Sequence, residues 1–207
     1  MDSTTNVENI EAQIIEVAKQ LFLEYGYKNT NMCDIASTVG INRTTLHYYF
    51  NTKDKMFEAV FGTIIKSFLP KIKDILLNND TFFEKIDKII DEYFRVFLTT
   101  PYLPSFIMGE INRDLKHLLS VAYSIDFANY LQILIKTITD EMDKGNIKRI
   151  PIHIIFMSFI SQVTFPFIAK NLIQEILNSK DEELGKIIEE WKPIISMQMR
   201  NLLMVNG

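Results

Sequence analysis

The chain has 207 residues, 47% of them hydrophobic, and a formal net charge of −4 at pH 7. That length suits one mid-sized domain or a small domain joined to a larger one, and the acidic balance excludes a general electrostatic argument for nucleic-acid binding. The single cysteine, Cys33, excludes an internal disulfide and suits a reducing compartment, and the polar, acidic stretch from Met1 to Glu8 does not read as a secretory signal, so a cytoplasmic protein is expected.

Glycine and proline are scarce, at 7 and 6 residues, and no strand pattern, repeat or low-complexity linker interrupts the helical periodicity. The spacing of Ile14, Val17, Ala18, Leu21, Phe22 and Tyr25 predicts a first helix over Val7–Glu24, with Gly26 in the usual place of a C-terminal glycine. Asn31 is a good N-cap for a short helix over Met32–Val39, with Asp34 in its first turn and Ile35, Ala36 and Val39 as its buried face. Gly40 permits a tight turn, Ile41 is an apolar plug, and Asn42 caps a third helix from Arg43 to about Phe50. Leu46 and Phe50, four residues apart, point inward together and leave Arg43, Thr44, Thr45, His47 and Tyr48 largely outside.

Thr52 caps a fourth helix from Lys53, which Pro70 is expected to kink or break. Asp80 is read as the cap of a helix carrying Phe83 to Phe97, and Thr100–Pro104 as a break. A short helix from Ser105 to Asn112 and a long one from Leu118 to Asp143 follow, the latter ended by Lys144-Gly145-Asn146. Pro151 opens a helix to about Asn178, and Asp181 caps the last, which reaches about Met204 past an interruption at Pro193. The uncharged run Ile150–Ala169 approaches the roughly 20 residues of a membrane span, but its Pro151, His153, Ser158, Ser161, Gln162, Thr164 and Pro166 favour a helix buried by partner helices.

The informative unit is Met32–Phe50: helix, glycine turn, helix. Such a pair sets its second helix into the DNA major groove, where base edges distinguish all four pairs. The run Gly26-Tyr27-Lys28-Asn29-Thr30-Asn31-Met32-Cys33-Asp34-Ile35-Ala36, then Val39-Gly40-Ile41-Asn42, then Leu46-His47-Tyr48-Tyr49-Phe50-Asn51-Thr52-Lys53-Asp54 resembles the TetR-family signature, gapless and in order. Asn31 and Asn42 replace the usual Ser or Thr caps, His47 stands where Tyr is usual, Tyr49 where His is usual, and Thr44 where Gly is frequent, so no relative's operator sequence transfers.

The resemblance implies an all-α fold: a three-helix helix-turn-helix head over residues 1–54 and a larger antiparallel helical ligand-binding and dimerisation domain over 55–207. It implies that Arg43, Thr44 and Thr45 face base edges, with Arg43 suited to a bidentate contact to guanine. His47, Tyr48 and Tyr49 would meet phosphates or the thymine methyl, although packing between helices is an equal reading for Tyr49. Asn31 and Lys53 would hold phosphates at helix N-termini. Up to Lys55 the acidic residues Asp2, Glu8, Glu11, Glu16, Glu24, Asp34 and Asp54 outweigh Lys19, Lys28, Arg43, Lys53 and Lys55. One head then binds moderately, and two heads on a homodimer compensate through effective concentration.

The implied effector pocket is assigned to Tyr93, Phe97, Tyr102, Phe106, Tyr123, Phe127 and Tyr130, an uncharged set that suits an unidentified apolar or amphipathic small molecule; plain core packing is the other reading of the same aromatics. The implied dimer interface is assigned to Phe156, Phe159, Val163, Phe167, Trp191, Ile195 and Met199 on the last two helices, which alternatively cover the subunit's own core. There is no glycine-rich phosphate loop and no clustered Cys/His set, and His47, His117 and His153 are scattered, so no enzyme, cofactor or metal is expected. The function implied is a ligand-released repressor on double-stranded operator DNA; the alternative is a helical ligand-binding or scaffold protein that has lost DNA binding.

Overall fold

A computed structural model describes residues 3–177 and 181–205, with side chains over 10–176 and 185–205. All regular structure among these residues is α-helical: α1 (Ser3–Asn29), α2 (Met32–Val39), α3 (Arg43–Tyr49), α4 (Lys53–Leu77), α5 (Phe82–Thr99), α6 (Leu103–Ser124), α7 (Phe127–Asp143), α8 (Ile152–Ile168), α9 (Lys170–Leu177) and α10 (Asp181–Leu203). The chain divides into two compact units, 1–67 with 106–126, and 68–105 with 127–207. The first unit thus reaches past the expected boundary at residue 54 and takes in most of α6.

In the first unit, α1 runs on past Glu24 through a kink at Gly26, whose φ of 79° and ψ of 165° are open to glycine and strained for other residues. Buried Thr30 closes the turn, its hydroxyl donating to the Leu21 and Gly26 carbonyls at 3.1 and 3.0 Å. Ile14, Ala18 and Phe22 of α1, Ile35 and Ala36 of α2, Leu46 of α3 and Met56, Phe57 and Val60 of α4 form the core. At about 25 cal/mol per Å² of apolar surface, each of the large members of this set contributes about 1.5–3 kcal/mol.

The second unit is built on α5. Its N-cap is Thr81, with Glu84 completing a capping box, so the cap expected at Asp80 falls one residue later. The Asp80 carboxylate is instead taken by Lys88 and Asn78. α5 packs on α8 and α10: Phe94 meets Phe167 at 5.7 Å between ring centroids, and Asp87 accepts from Ser196 and Arg200. α4 and α10 continue through Pro70 and Pro193, where kinks or breaks were expected. A helix losing one internal bond survives where its flanks are packed, and Leu69, Ile72, Ile195 and Met199 are buried.

The helix expected over Leu118–Asp143 is two: α6 ends at Ser124, Asp126 takes a φ of 70°, and α7 starts at Phe127. The break expected between Asn112 and Leu118 is a kink at Asp114, whose carboxylate accepts from the His117 N–H at 3.0 Å and restarts the helix. Likewise the helix opened by Pro151 is divided at Ala169 into α8 and α9. Its expected end at Asn178, and the side chain of Asp181, lie outside the described residues. Among the described residues no single helix is long and apolar enough to cross a membrane.

Candidate functional site

The α2–turn–α3 unit is held by local chemistry. The Asn31 side chain accepts from Asp34 N–H at 2.9 Å, and that of Asn42 from Thr45 N–H at 2.8 Å, so both asparagines act as caps. Gly40, with φ 82° and ψ 25°, ends α2 in the left-handed region, and the Ile41 N–H returns to Ala36 O at 3.0 Å. Leu46 is wholly buried and pins α3 to the core.

This anchoring leaves one face of α3 free. Arg43 and Thr44 are exposed, and Tyr48 is 82% exposed. Arg43 Nε donates to His47 Nε2 at 3.3 Å, and His47 Nδ1 lies 3.3 Å from Asn51 O. These contacts select the His47 tautomer protonated at Nδ1 and leave the two Arg43 amino groups for a bidentate partner.

Other members of the expected set are partly committed elsewhere. Thr45 is half-buried and its hydroxyl lies 3.0 Å from Asn42 Oδ1, which ties it to the cap. Tyr49 is half-buried, with the Tyr48 ring edge-on at 5.3 Å. Lys53 is half-buried, its amine 4.2 Å from the centre of the Tyr27 ring, and burial lowers its pKa.

Around Lys53 lies a cluster that the sequence pattern did not reveal. The Tyr27 hydroxyl donates to Asp54, and the Arg113 guanidinium from α6 stacks 3.9 Å from the centre of the same ring. Arg113 Nε also donates to buried Glu110 at 2.6 Å. Burial, then the Asp54 contact, pushes the Tyr27 hydroxyl up to about 12. Tyr27 and Arg113 come from helices far apart in the chain, α1 and α6, so no local periodicity pairs them.

The second unit encloses a cavity of about 510 Å³. Its walls are Ile86, Ile89 and Tyr93 of α5, Tyr130, Leu134 and Ile138 of α7, and Ile155, Phe156 and Phe159 of α8, with Lys85, Thr137 and His153 as further polar groups. Of the expected effector set, Tyr93 and Tyr130 line it. Phe97 is buried between Tyr93 and Phe167, and Phe127 stacks on Tyr130 at 5.8 Å, so both stand behind the wall. Tyr102 and Tyr123 are 60% and 52% exposed, and Phe106 packs on Phe57 in the first unit. His117 likewise packs on Phe57 and faces Glu58 at 3.9 Å. The wall residues missed were the aliphatic ones: Ile86, Ile89, Leu134 and Ile138 read as ordinary helix stripes.

The proposed interface residues divide in the same way. Val163, Phe167, Ile195 and Met199 are 0%, 6%, 0% and 1% exposed within this one chain, which corrects their expected role between subunits: they fill its own core. Trp191 is half-buried, its indole N–H donating to Gln162 O at 3.1 Å, while Phe156 and Phe159 face the cavity. Among the described side chains, the large apolar ones exposed on α8 and α10 are Ile154, Phe156, Met157, Phe165, Ile168 and Met197.

The geometry defines a helix-turn-helix DNA-binding fold joined to a helical unit with a small-molecule-sized cavity. The sequence profile of bacterial regulatory proteins, tetR family, matches residues 14–60. Over those residues the chain is similar to the TetR family of transcriptional regulators. It is 24% identical over 136 residues to the fatty acid metabolism regulator protein of Bacillus subtilis, covering 66% of this chain and 70% of that one. It is 27% identical over 118 residues to IcaR of Staphylococcus aureus, a negative regulator of the biofilm operon icaADBC, covering 51% and 61%. A third match, to the regulator YhgD of Bacillus subtilis, is 26% over 77 residues, or 37% of this chain and 40% of that one. The alignments to YhgD and IcaR thus span less than two thirds of those relatives. Among solved structures, FadR of Bacillus subtilis in complex with stearoyl-CoA superposes with a TM-score of 0.67 at 19% identity, covering 89% of this chain and 97% of that one. The fatty acid degradation regulator FadR of Bacillus halodurans gives 0.67 at 18%, covering 90% and 94%. At these identities the structural likeness establishes the fold.

Proposed function

We propose that this chain is a ligand-responsive repressor: a homodimer that grips a near-palindromic double-stranded operator with two α3 helices and releases it when an apolar or amphipathic effector enters the cavity of the second unit. The observation that carries this reading is the outward face of α3, where Arg43, Thr44 and Tyr48 stand free on a helix locked by the Asn42 cap and by Leu46. A dimer sets two such helices one DNA turn apart, about 34–36 Å, which calls for a two-fold operator. The head is not basic overall, so local donors set binding: the Arg43 guanidinium, the Tyr48 hydroxyl and the backbone N–H groups at the start of α2.

Repression rather than activation is supported by the negative regulation for which IcaR is named, and effector response by the stearoyl-CoA complex of Bacillus subtilis FadR. For the subunit contact we assign the exposed apolar side chains Ile154, Met157, Phe165 and Ile168 of α8 and Met197 of α10. The helix beginning at Lys53 supplies Met56 and Phe57 to the first unit's core and Leu76 to the cavity wall, and we assign it the coupling between the two sites. No catalytic step, cofactor or metal enters this reading, and the protein acts in the cytoplasm.

The test is binding of the purified protein to DNA from its own upstream region across a salt series, beside an Arg43→Ala/Tyr48→Ala variant. The reading expects salt-sensitive binding to a near-palindromic site that the variant loses. Binding without sequence preference, unchanged in the variant, would overturn it in favour of a helical ligand-binding scaffold.

A further inference from the structure

The cavity has a direction, and its two ends differ in chemistry. α5 and α8 run side by side in the same sense, because Tyr93 meets Phe159 at 5.6 Å between ring centroids while Phe97, further along, meets Phe167 at 5.2 Å. α7 runs the opposite way: Tyr130 interacts with Tyr93, while the Lys85 charge acts on Glu141. One end of the cavity is therefore Tyr93, Tyr130 and Phe159, and the other is Lys85 and His153. Eight residues of α5 separate Lys85 from Tyr93, so the ends are ~12 Å apart. Between them the wall is aliphatic, with Ile86 and Ile89 on α5 and Leu134 and Ile138 on α7, except for Thr137, whose hydroxyl donates to Ile133 O at 2.9 Å.

Each end offers hydrogen-bond donors. Two phenol groups line this end and carry two hydrogens, and a bond between them would use one. Whichever ring donates to the other, one O–H is left to point at a ligand oxygen. Burial holds both hydroxyls in the protonated form, Tyr93 being pushed up to about 12. At the far end the Lys85 ammonium donates to Leu76 O at 2.8 Å and keeps two further N–H donors. Asp80 and Glu141, the carboxylates near it, are engaged by Lys88 and Asn78 and by Lys144 and Asn146. His153 is exposed beside it.

We infer that the effector is an unbranched anionic amphiphile oxygenated far down its chain, a hydroxy or oxo fatty carboxylate, lying along α5 with its carboxylate at Lys85 and its distal oxygen at the Tyr93–Tyr130 pair. This rests on the reading of the cavity as the effector site. The reverse orientation would bury a carboxylate in an apolar pocket against a single donor, which its desolvation forbids. A plain saturated chain leaves the spare phenol hydrogen unpaired against methylenes, and a site built to hydrogen-bond an oxygen discriminates against the analogue without one.

Calorimetric titration of the full chain with dodecanoate, ω-hydroxydodecanoate and dodecanol tests this, using wild type, Tyr93→Phe/Tyr130→Phe and Lys85→Met. The expected result is that wild type prefers ω-hydroxydodecanoate to dodecanoate by about three- to tenfold. The double phenylalanine variant loses that preference and binds dodecanoate at least as tightly as ω-hydroxydodecanoate, and Lys85→Met weakens both acids but not dodecanol. Equal binding of the two acids by wild type, or a preference that survives in the double variant, overturns the inference and leaves the cavity as effector site. If none of the three probes binds, both the inference and the effector-site reading fail.

Discussion

The reading helix of the first unit and the cavity of the second put their polar groups to opposite use. On α3 of the first unit, the apolar residue is turned inward and the polar ones outward: Leu46 is sealed in the core, and Tyr48, two positions on, is 82% exposed. In the second, polar groups are turned inward, with Tyr93, Tyr130 and Lys85 facing a cavity of about 510 Å³. A rigid surface that reads a rigid partner needs fixed side chains on a filled core. A ligand site needs the reverse, a core left unfilled with a few donors aimed into the gap. The reading head therefore tolerates little change beneath its surface, whereas a residue of the cavity wall already borders empty space on one side.

The largest effect that would sharpen this contrast is beneath α3. Leu46→Ala removes a side chain with no exposure and is expected to cost about 2–5 kcal/mol. Thermal unfolding followed by circular dichroism should show an earlier transition, with operator binding lost together with it. The equivalent truncation in the cavity wall, Leu134→Ala, enlarges an existing space and should cost clearly less. Equal losses at the two positions would break the comparison.

Next in size is the surface itself. Arg43→Ala should weaken operator binding by about 1–3 kcal/mol, the worth of a bidentate base contact, and relax preference at one base pair. Because Arg43 is exposed, the melting temperature should not move. A variant that binds normally would place base reading elsewhere on the head.

The head was legible in the sequence because its determinants are local. Asn31, Gly40, Asn42 and Leu46 fix two helices and a turn through contacts that span five residues or fewer. Most of the face that points outward could be read off one turn of α3. Thr45 and Lys53 show the limit: their surroundings, an Asn42 side chain and a Tyr27 ring, divide their roles between structure and contact. The cavity was legible only in part. Tyr93 and Tyr130 were singled out as aromatics, but nothing in a helical stripe tells an isoleucine beside a void from one beside a phenylalanine. Void or packing depends on the register between α5, α7 and α8, set by contacts more than thirty residues apart such as Tyr93 with Phe159. The same blindness placed Val163 and Ile195 between subunits, since one apolar stripe cannot say which neighbour covers it.

A smaller effect concerns the caps. Asn42→Ala removes an acceptor for the Thr45 N–H and should destabilise the head by about 1 kcal/mol, while Asn42→Ser, which keeps the acceptor, should hardly change it. Hydrogen exchange at the α3 amides, which reads local opening, separates the two variants. Identical exchange in both would show that Leu46 alone holds the helix.

The smallest effect at neutral pH, and the one that reports on the second unit alone, is at Glu92. Its carboxylate is 3% exposed, pairs with Arg95 at 2.5 Å and Lys71 at 2.8 Å, and has its pKa lowered from 4.5. The Arg95 hydrogen bond dominates that shift, burial opposes it and Lys71 adds to it. A carboxyl whose pKa is lower folded than unfolded releases its proton more readily in the native state. Its contribution to stability is therefore complete above the ordinary carboxylate range and is lost as pH falls through the lowered native value. Both partners are themselves largely exposed, so solvent screens the pair and keeps the contribution modest. Glu92→Gln should accordingly melt slightly below wild type at neutral pH, and the two curves should converge in acid. If the gap is the same at every pH, Glu92 acts through packing and hydrogen bonding rather than charge. That outcome would make its surroundings like those of Leu46 in the first unit, a filled interior in which shape rather than ionisation decides stability.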